Sequence, residues 1–238
     1  MPNHVRNIVK MKGITTLRLF TESVTSRGNE WAFDFNRIIP MPGSLKLKAG
    51  SMEDLAIETA LRSDAVLRYE FEKIKPSPQI SERAYQMQLA NSDMASALLC
   101  KLGMQYINNL KLYGATTWYD WCTENWGTKW NSYDNKQIDA DTIMFSTAWS
   151  SPERVIAQLA KMYPDAELEH WWADEDMGYN TGYAKYSAGK EESLTCHDAC
   201  SQTAYETYIL CWGENRCLYQ DADGLWQRRN CDECHGCG

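Results

Sequence analysis

Apolar and polar positions recur with two different periods along the chain, and each change of period marks an element. His4 to Met11 sets Val5, Ile8 and Val9 among polar residues and predicts a strand. Leu17 to Val24 fits a short helix or a second strand, and Trp31 to Ile39 alternates loosely up to the breaker Pro40-Met41-Pro42-Gly43. From Ser51 to Lys75 the composition is helical, with Ser51 as N-cap and Asp54 at the third helical position. The apolar set there is only partly periodic, which predicts a break near Ser63, and Pro76-Ser77-Pro78 ends the segment. Ser81 to Tyr113 reads as one helix, because Ala95, Leu98, Leu99, Leu102, Tyr106 and Leu110 recur at threes and fours. Gly103 weakens its middle by about 1 kcal/mol against Ala, and Gly114 supplies its C-terminal cap.

Downstream the elements shorten. Thr117 can cap a short helix that Gly127 ends, and Lys129 to Tyr133 leaves as an extended segment. Asp141 to Trp149 reads as a buried strand, Ser150-Ser151-Pro152-Glu153 as a helix start, and Val155, Ile156, Leu159 and Met162 as the apolar stripe of that helix. Ala166 to Ala173 alternates as a strand with Leu168, His170 and Trp172 on one face; Thr181 to Ser187 is another. Ala199 to Trp212 is helical, and Arg216 to Arg229 a hairpin around Asp221-Ala222-Asp223-Gly224. This succession predicts an α+β fold with helices packed on one face of a mostly antiparallel sheet. Residues 1–230 read as a single domain with a helical insertion at about 51–113, and 231–238 as a Cys-rich tail.

Composition narrows the function classes. With 44% apolar and 24% charged residues the chain is globular rather than disordered. No apolar run approaches the roughly 20 residues of a membrane span, and Met1 to Arg6 begins no apolar signal region; a cytoplasmic location is expected. The net charge of −8 is uneven: residues 1–113 carry 15 Lys/Arg against 11 Asp/Glu, residues 114–238 carry 9 against 21. An acidic second half disfavours a grip on phosphate backbones and suits a basic protein surface, or simply keeps the chain soluble.

Two stretches carry candidate chemistry. Four of the ten tryptophans fall within Trp118 to Trp130. Trp118 and Trp121 share a helix face with Cys122 and read as core; Trp126, Lys129, Trp130 and Asn131, around and beyond the cap glycine, are the candidate binding surface. Cys231, Cys234 and Cys237, with His235 between them, have the spacing of a zinc site, for which Cys196 or Cys200 would be the fourth ligand. Free thiols in a tail are the plainer alternative. For catalysis there is little: no phosphate loop, nucleophile elbow or zincin helix is present. His170 reads as a core histidine, Asp174-Glu175-Asp176 as a solvated turn rather than a divalent cation site, and Cys122 as an inert thiol.

Several blocks carry a resemblance. Met1 to Val5, Asp34-Phe35-Asn36-Arg37-Ile38-Ile39-Pro40-Met41-Pro42, Tyr113 to Cys122, Asn125-Trp126-Gly127-Thr128-Lys129-Trp130-Asn131 and Phe145-Ser146-Thr147-Ala148-Trp149 resemble the YubB family, Api-like ferredoxin-like-domain proteins of bacteriophages and plasmids. The resemblance runs over most of residues 1–212; the Cys-rich end from Cys196 departs from it. It implies a ferredoxin-like α+β fold, a mobile-element origin and a bacterial host cytoplasm, and no assigned activity. The resulting expectation is a non-enzymatic accessory protein that binds a host or element-encoded protein, with interference in host defence as one purpose. The alternative is a zinc-stabilised module acting on or binding nucleic acid.

Overall fold

The structure is a computed structural model that describes residues 3–12 and 32–229. The expected helix or strand at Leu17 to Val24 and the tail cysteines lie outside those residues. The chain forms two compact units: residues 41–124, and residues 1–40 with 125–238.

The first unit is helical. Helix α1 (Ser51–Ser63) and α2 (Ala65–Glu72) are separated by Asp64, whose side chain accepts from the amides of Val66 and Leu67 at 2.9 and 3.0 Å. The break expected near Ser63 is therefore a capped restart. Gly50 at φ 113° is the N-cap of α1, and Ser51 is its first helical residue, which corrects the assignment of Ser51 as cap. The single helix expected over Ser81 to Tyr113 is two, α3 (Glu82–Ala90) and α4 (Ser96–Tyr113). Asn91-Ser92-Asp93 intervenes, and the Ser92 hydroxyl accepts from the Met94 amide at 3.1 Å, the local side-chain bonding that competes with helix. Helices α1 and α4 pack through their smallest residues. A Cβ on Gly103 would lie 2.1 Å from the Ala56 carbonyl oxygen and 2.8 Å from the Ala60 Cβ. Around this contact Leu55, Leu61, Phe71, Leu99, Tyr106 and Ile107 form a buried core. Glu58, buried, is held by Arg62 at 2.8 Å and Arg68 at 3.0 Å. Helix α5 (Trp118–Trp126) follows, with Trp121 and Cys122 buried and Trp118 half-buried.

The second unit is built on a sheet. Among the described residues six strands, β1 (His4–Lys12), β2 (Tyr133–Gln137), β3 (Thr142–Ala148), β4 (Glu167–Asp174), β5 (Gly182–Ser187) and β6 (Lys190–Cys196), lie in the order β2-β3-β1-β4-β5-β6. Every pairing is antiparallel. Since β3 and β4 both run against β1, they are parallel to each other with β1 inserted between them. Helix α6 (Glu153–Met162) connects them, so the unit is a split strand–helix–strand. Alternation in β1 buries Val5, Asn7, Val9 and Met11, on the face that also holds Leu168, His170 and Trp172. Gly182 sits opposite Trp172, and a Cβ there would come within 2.2 Å of the indole, so the glycine is the space the tryptophan fills.

Helix α6 buries Val155, Ile156 and Leu159. Burial, and after it the charges of Glu191 and Glu153, push the Tyr186 hydroxyl up to about 12. Helix α7 (Gln202–Trp212) covers the other face. Its Tyr205, Tyr208 and Cys211 pack with Ala173, Met177 and the half-buried Trp171 and Ile8. A hairpin of β7 (Leu218–Gln220) and β8 (Trp226–Arg228) closes the described chain.

Candidate functional site

The segment after α5 is strapped to the end of β3. Gly127, at φ 80°, ends the helix, and a Cβ on it would lie 3.2 Å from the Ser151 carbonyl oxygen. The Ser150 hydroxyl donates to the Gly127 carbonyl at 2.5 Å, and the buried Thr128 hydroxyl to the Ala148 carbonyl at 2.8 Å. These bonds fix the direction in which the next residues leave.

The four residues of the expected binding surface separate into two pairs. Trp126 is 3% exposed; its indole N–H donates to the Ile39 carbonyl at 2.9 Å and its ring meets Phe35 edge-on at 5.7 Å. It is a core residue, which corrects its assignment to the surface: an indole this large is worth more buried with its one donor satisfied. Asn131 is half-buried and structural. Its Oδ1 accepts from the Phe35 and Ser132 amides, each at 2.9 Å, and its Nδ2 donates to Asp34 at 2.6 Å. Lys129 and Trp130 remain at the surface, and a residue from another loop joins them. The Lys129 ammonium lies 4.5 Å from the Trp130 ring centroid and 4.4 Å from that of Trp149. Both indoles are open to solvent, at 38% and 46% exposure. A cation held between two exposed aromatic faces is a preorganised contact patch, apolar in area and positive at its centre.

Trp149 is held in an uncommon backbone conformation, φ 70°, which costs a side-chain-bearing residue about 1–2 kcal/mol. Its amide donates to the Asn3 carbonyl at 2.9 Å, and its carbonyl accepts from the Asn180 side chain at 3.0 Å. Asn180, itself at φ 44°, and Asn3 both donate to the buried Asp174 at 3.3 Å. Asp174 also accepts from the Asp176 amide at 2.9 Å. The acidic turn is therefore more than a solvated one: its first carboxylate organises the backbone around Trp149. Neither Trp149 nor Asn180 stands out in the sequence. A left-handed tryptophan has no local signal, and the pairing with Lys129 exists only once β3 and α5 are in place.

The remaining candidates offer little chemistry. His170 is fully buried, its Nε2 3.0 Å from Asn7 Oδ1, and burial pushes its pKa down to about 3, so it is neutral at pH 7. Burial pushes the Cys122 thiol up to about 12, far from a nucleophilic thiolate. Cys196 is exposed and Cys200 half-buried, and among the described residues no group of three His, Cys, Asp or Glu side chains could hold a metal ion. Cys231, Cys234, His235 and Cys237 lie outside the described residues. No described helix is long and apolar enough to cross a membrane.

The patch, with five of the six sheet strands, lies in the part of the chain that a family model matches. Residues 125–210 match the family model of the ferredoxin-like domain in Api92-like protein. The Api92-like stretch runs from Asn125, just before Trp126, through β2 to β6 and most of α7, and the α+β fold of this unit is ferredoxin-like. It includes Lys129, Trp130, Trp149 and Asn180, while β1 and the helical unit lie outside it. Among solved structures, the crystal structure of a protein api92 from Yersinia pseudotuberculosis is similar to this chain at 14% identity. The similarity covers 84% of this chain and 99% of that one, with a TM-score of 0.40. No curated protein matches the chain significantly.

Proposed function

We propose that this is a non-enzymatic binding protein whose recognition surface is the Lys129–Trp130–Trp149 patch and whose partner is another protein. The observation that carries this reading is Lys129 held between two exposed indoles, one of them on a strained backbone. Tryptophan is enriched among the residues that dominate binding energy, and rigid aromatic anchors lose little entropy on association. The acidic second half adds complementarity to a basic rim on the partner. On the family resemblance, the wider role is that of a phage or plasmid accessory protein acting in the host cytoplasm, with host defence as its target. The test is affinity capture from bacterial lysate with wild type, Trp130→Ala and Trp149→Ala side by side. Proteins specific to the wild type should be lost from both variants while their melting temperatures stay close to it; an unchanged set of captured proteins removes this reading.

The Cys-rich tail supports a second, separable reading: a zinc ion held by Cys231, Cys234, Cys237 or His235 and completed by Cys200, in a module that touches nucleic acid. What favours Cys200 over Cys196 is its neighbourhood. Cys200 packs against the same buried cluster as Trp226 of β8, five residues before Cys231, whereas Cys196 is exposed. Elemental analysis decides it. One zinc per chain, lost in Cys200→Ser and kept in Cys196→Ser, is expected, and zinc-free protein from zinc-supplemented growth rejects it.

A further inference from the structure

The sheet unit holds a cleft of about 580 Å³ that the binding patch does not use. That volume falls within the range of small-molecule sites, roughly 300–1,000 Å³. Its walls carry opposite charges. Glu175 and Asp176 come from the turn after β4 and Arg228 from β8, while half-buried Trp212 on α7, backed by the buried Tyr208 one turn earlier, supplies the aromatic wall. The two rings lie nearly parallel, 21° apart, with centroids at 6.4 Å.

These walls are held in place. The Trp212 indole N–H donates to the Ala173 carbonyl at 3.0 Å, and the Arg6 guanidinium lies 3.9 Å over the same ring. Glu175 accepts from the His4 amide at 3.1 Å through one carboxylate oxygen, and its own amide donates to the His4 carbonyl at 2.8 Å. Asn215, also in the wall, accepts from the Cys217 amide at 2.9 Å. A cleft with both signs of charge penalises a simple cation at Arg228 and a simple anion at Glu175 and Asp176, and selects a ligand that carries both. Arginine has five donors, so a ligand carboxylate can be added to the other contacts it makes.

We propose that this cleft binds a small zwitterion: a free amino acid with an aromatic or long apolar side chain. Its ammonium faces Glu175 and Asp176, its carboxylate Arg228, and its side chain lies against the accessible part of Trp212. Asn3, which accepts from the Trp149 amide, also lines the cleft, but Lys129, Trp130 and Trp149 do not, and neither reading rests on the other.

Calorimetric titration of the full chain with each standard amino acid, at up to about 10 mM, tests it. Saturable heat is expected from phenylalanine, tyrosine, tryptophan, methionine or leucine. On wild-type protein the N-acetyl derivative and the methyl ester of the same amino acid should each bind at least about tenfold more weakly, since each lacks one charge. Arg228→Gln and the double variant Glu175→Gln/Asp176→Asn should weaken the free amino acid by a similar factor; all three side chains are exposed, a glutamine at 175 can still accept from the His4 amide, and melting temperatures close to wild type check that the fold is kept. Absence of saturable binding by any amino acid overturns the proposal, as does binding that neither the blocked derivatives nor the variants weaken.

Discussion

At the scale of single residues the tryptophans divide by what happens to their indole N–H. Trp126 donates to Ile39 from within the core, and Trp126→Ala should destabilise the protein by about 3–5 kcal/mol, the range for large-to-small core changes. Trp130→Ala should cost under about 1 kcal/mol. Denaturant unfolding of the two variants measures the difference, and equal losses would make Trp130 architectural as well. Trp149 adds a test of strain. Glycine accepts φ 70° without penalty, so Trp149→Gly should unfold within about 1 kcal/mol of wild type while losing partner capture; a much larger loss would assign the indole to stability. His170 supplies a pH signature. Its folded pKa, near 3, lies below its unfolded value of about 6.5, so the unfolded chain binds the proton first as the pH falls. Its contribution is complete above about pH 6.5 and is lost progressively down to about pH 3. Near pH 5 the loss from this one residue is about 2 kcal/mol. His170→Gln should flatten the stability curve between those limits, measured as urea midpoints across the range. The sequence placed His170 correctly on a buried face with Leu168 and Trp172, because strand alternation alone fixes that; it could not reveal Asn7 as the partner, which needs the β1–β4 register.

At the scale of elements, the strong periodic signals were legible and the contacts between elements were not. The strand–helix–strand run from β3 to β4 follows from its alternation and its Pro152 start. The expected helix over 81–113 fails at 91–95 because short polar side chains offer the backbone local hydrogen bonds, a competition that apolar periodicity does not register. Strand β6 is exposed along its length and has no buried face to set a period; its Lys190, Glu191 and Glu192 suit an edge that must not pair with another chain. Gly103 reverses its sequence-level meaning. Helix propensity favours alanine there by about 1 kcal/mol, yet the added methyl would enter the Ala56 carbonyl on the facing helix. Backbone cannot give way as a flexible side chain can, so Gly103→Ala should destabilise by about 2 kcal/mol or more after the propensity gain. A melting temperature at or above that of wild type would show that α1 and α4 do not approach so closely.

At the scale of the whole molecule, each unit carries a core of its own. Leu99 belongs to the cluster of Leu61, Phe71, Tyr106 and Ile107, whereas Val9, Phe145, Leu168 and Trp172 lie buried on the sheet. The Api92-like match covers only part of the sheet unit, and the candidate patch and the amino-acid cleft both lie in that unit. A local opening free energy is set by the core that must be broken, so two cores permit two levels of protection from hydrogen exchange. Leu99→Ala removes one core's apolar contacts at a cost of about 2–5 kcal/mol. Amides of α1 and α4 should then exchange faster by two or more orders of magnitude, since about 1.4 kcal/mol corresponds to a factor of ten in the opening equilibrium. Those of β1, β3 and β4 should keep wild-type rates. Mass-spectrometric exchange on the full chain reads both sets at once. A parallel acceleration of the strand amides would mean that the molecule opens as one cooperative body, and that substitutions in the helical unit reach the binding patch through global stability alone.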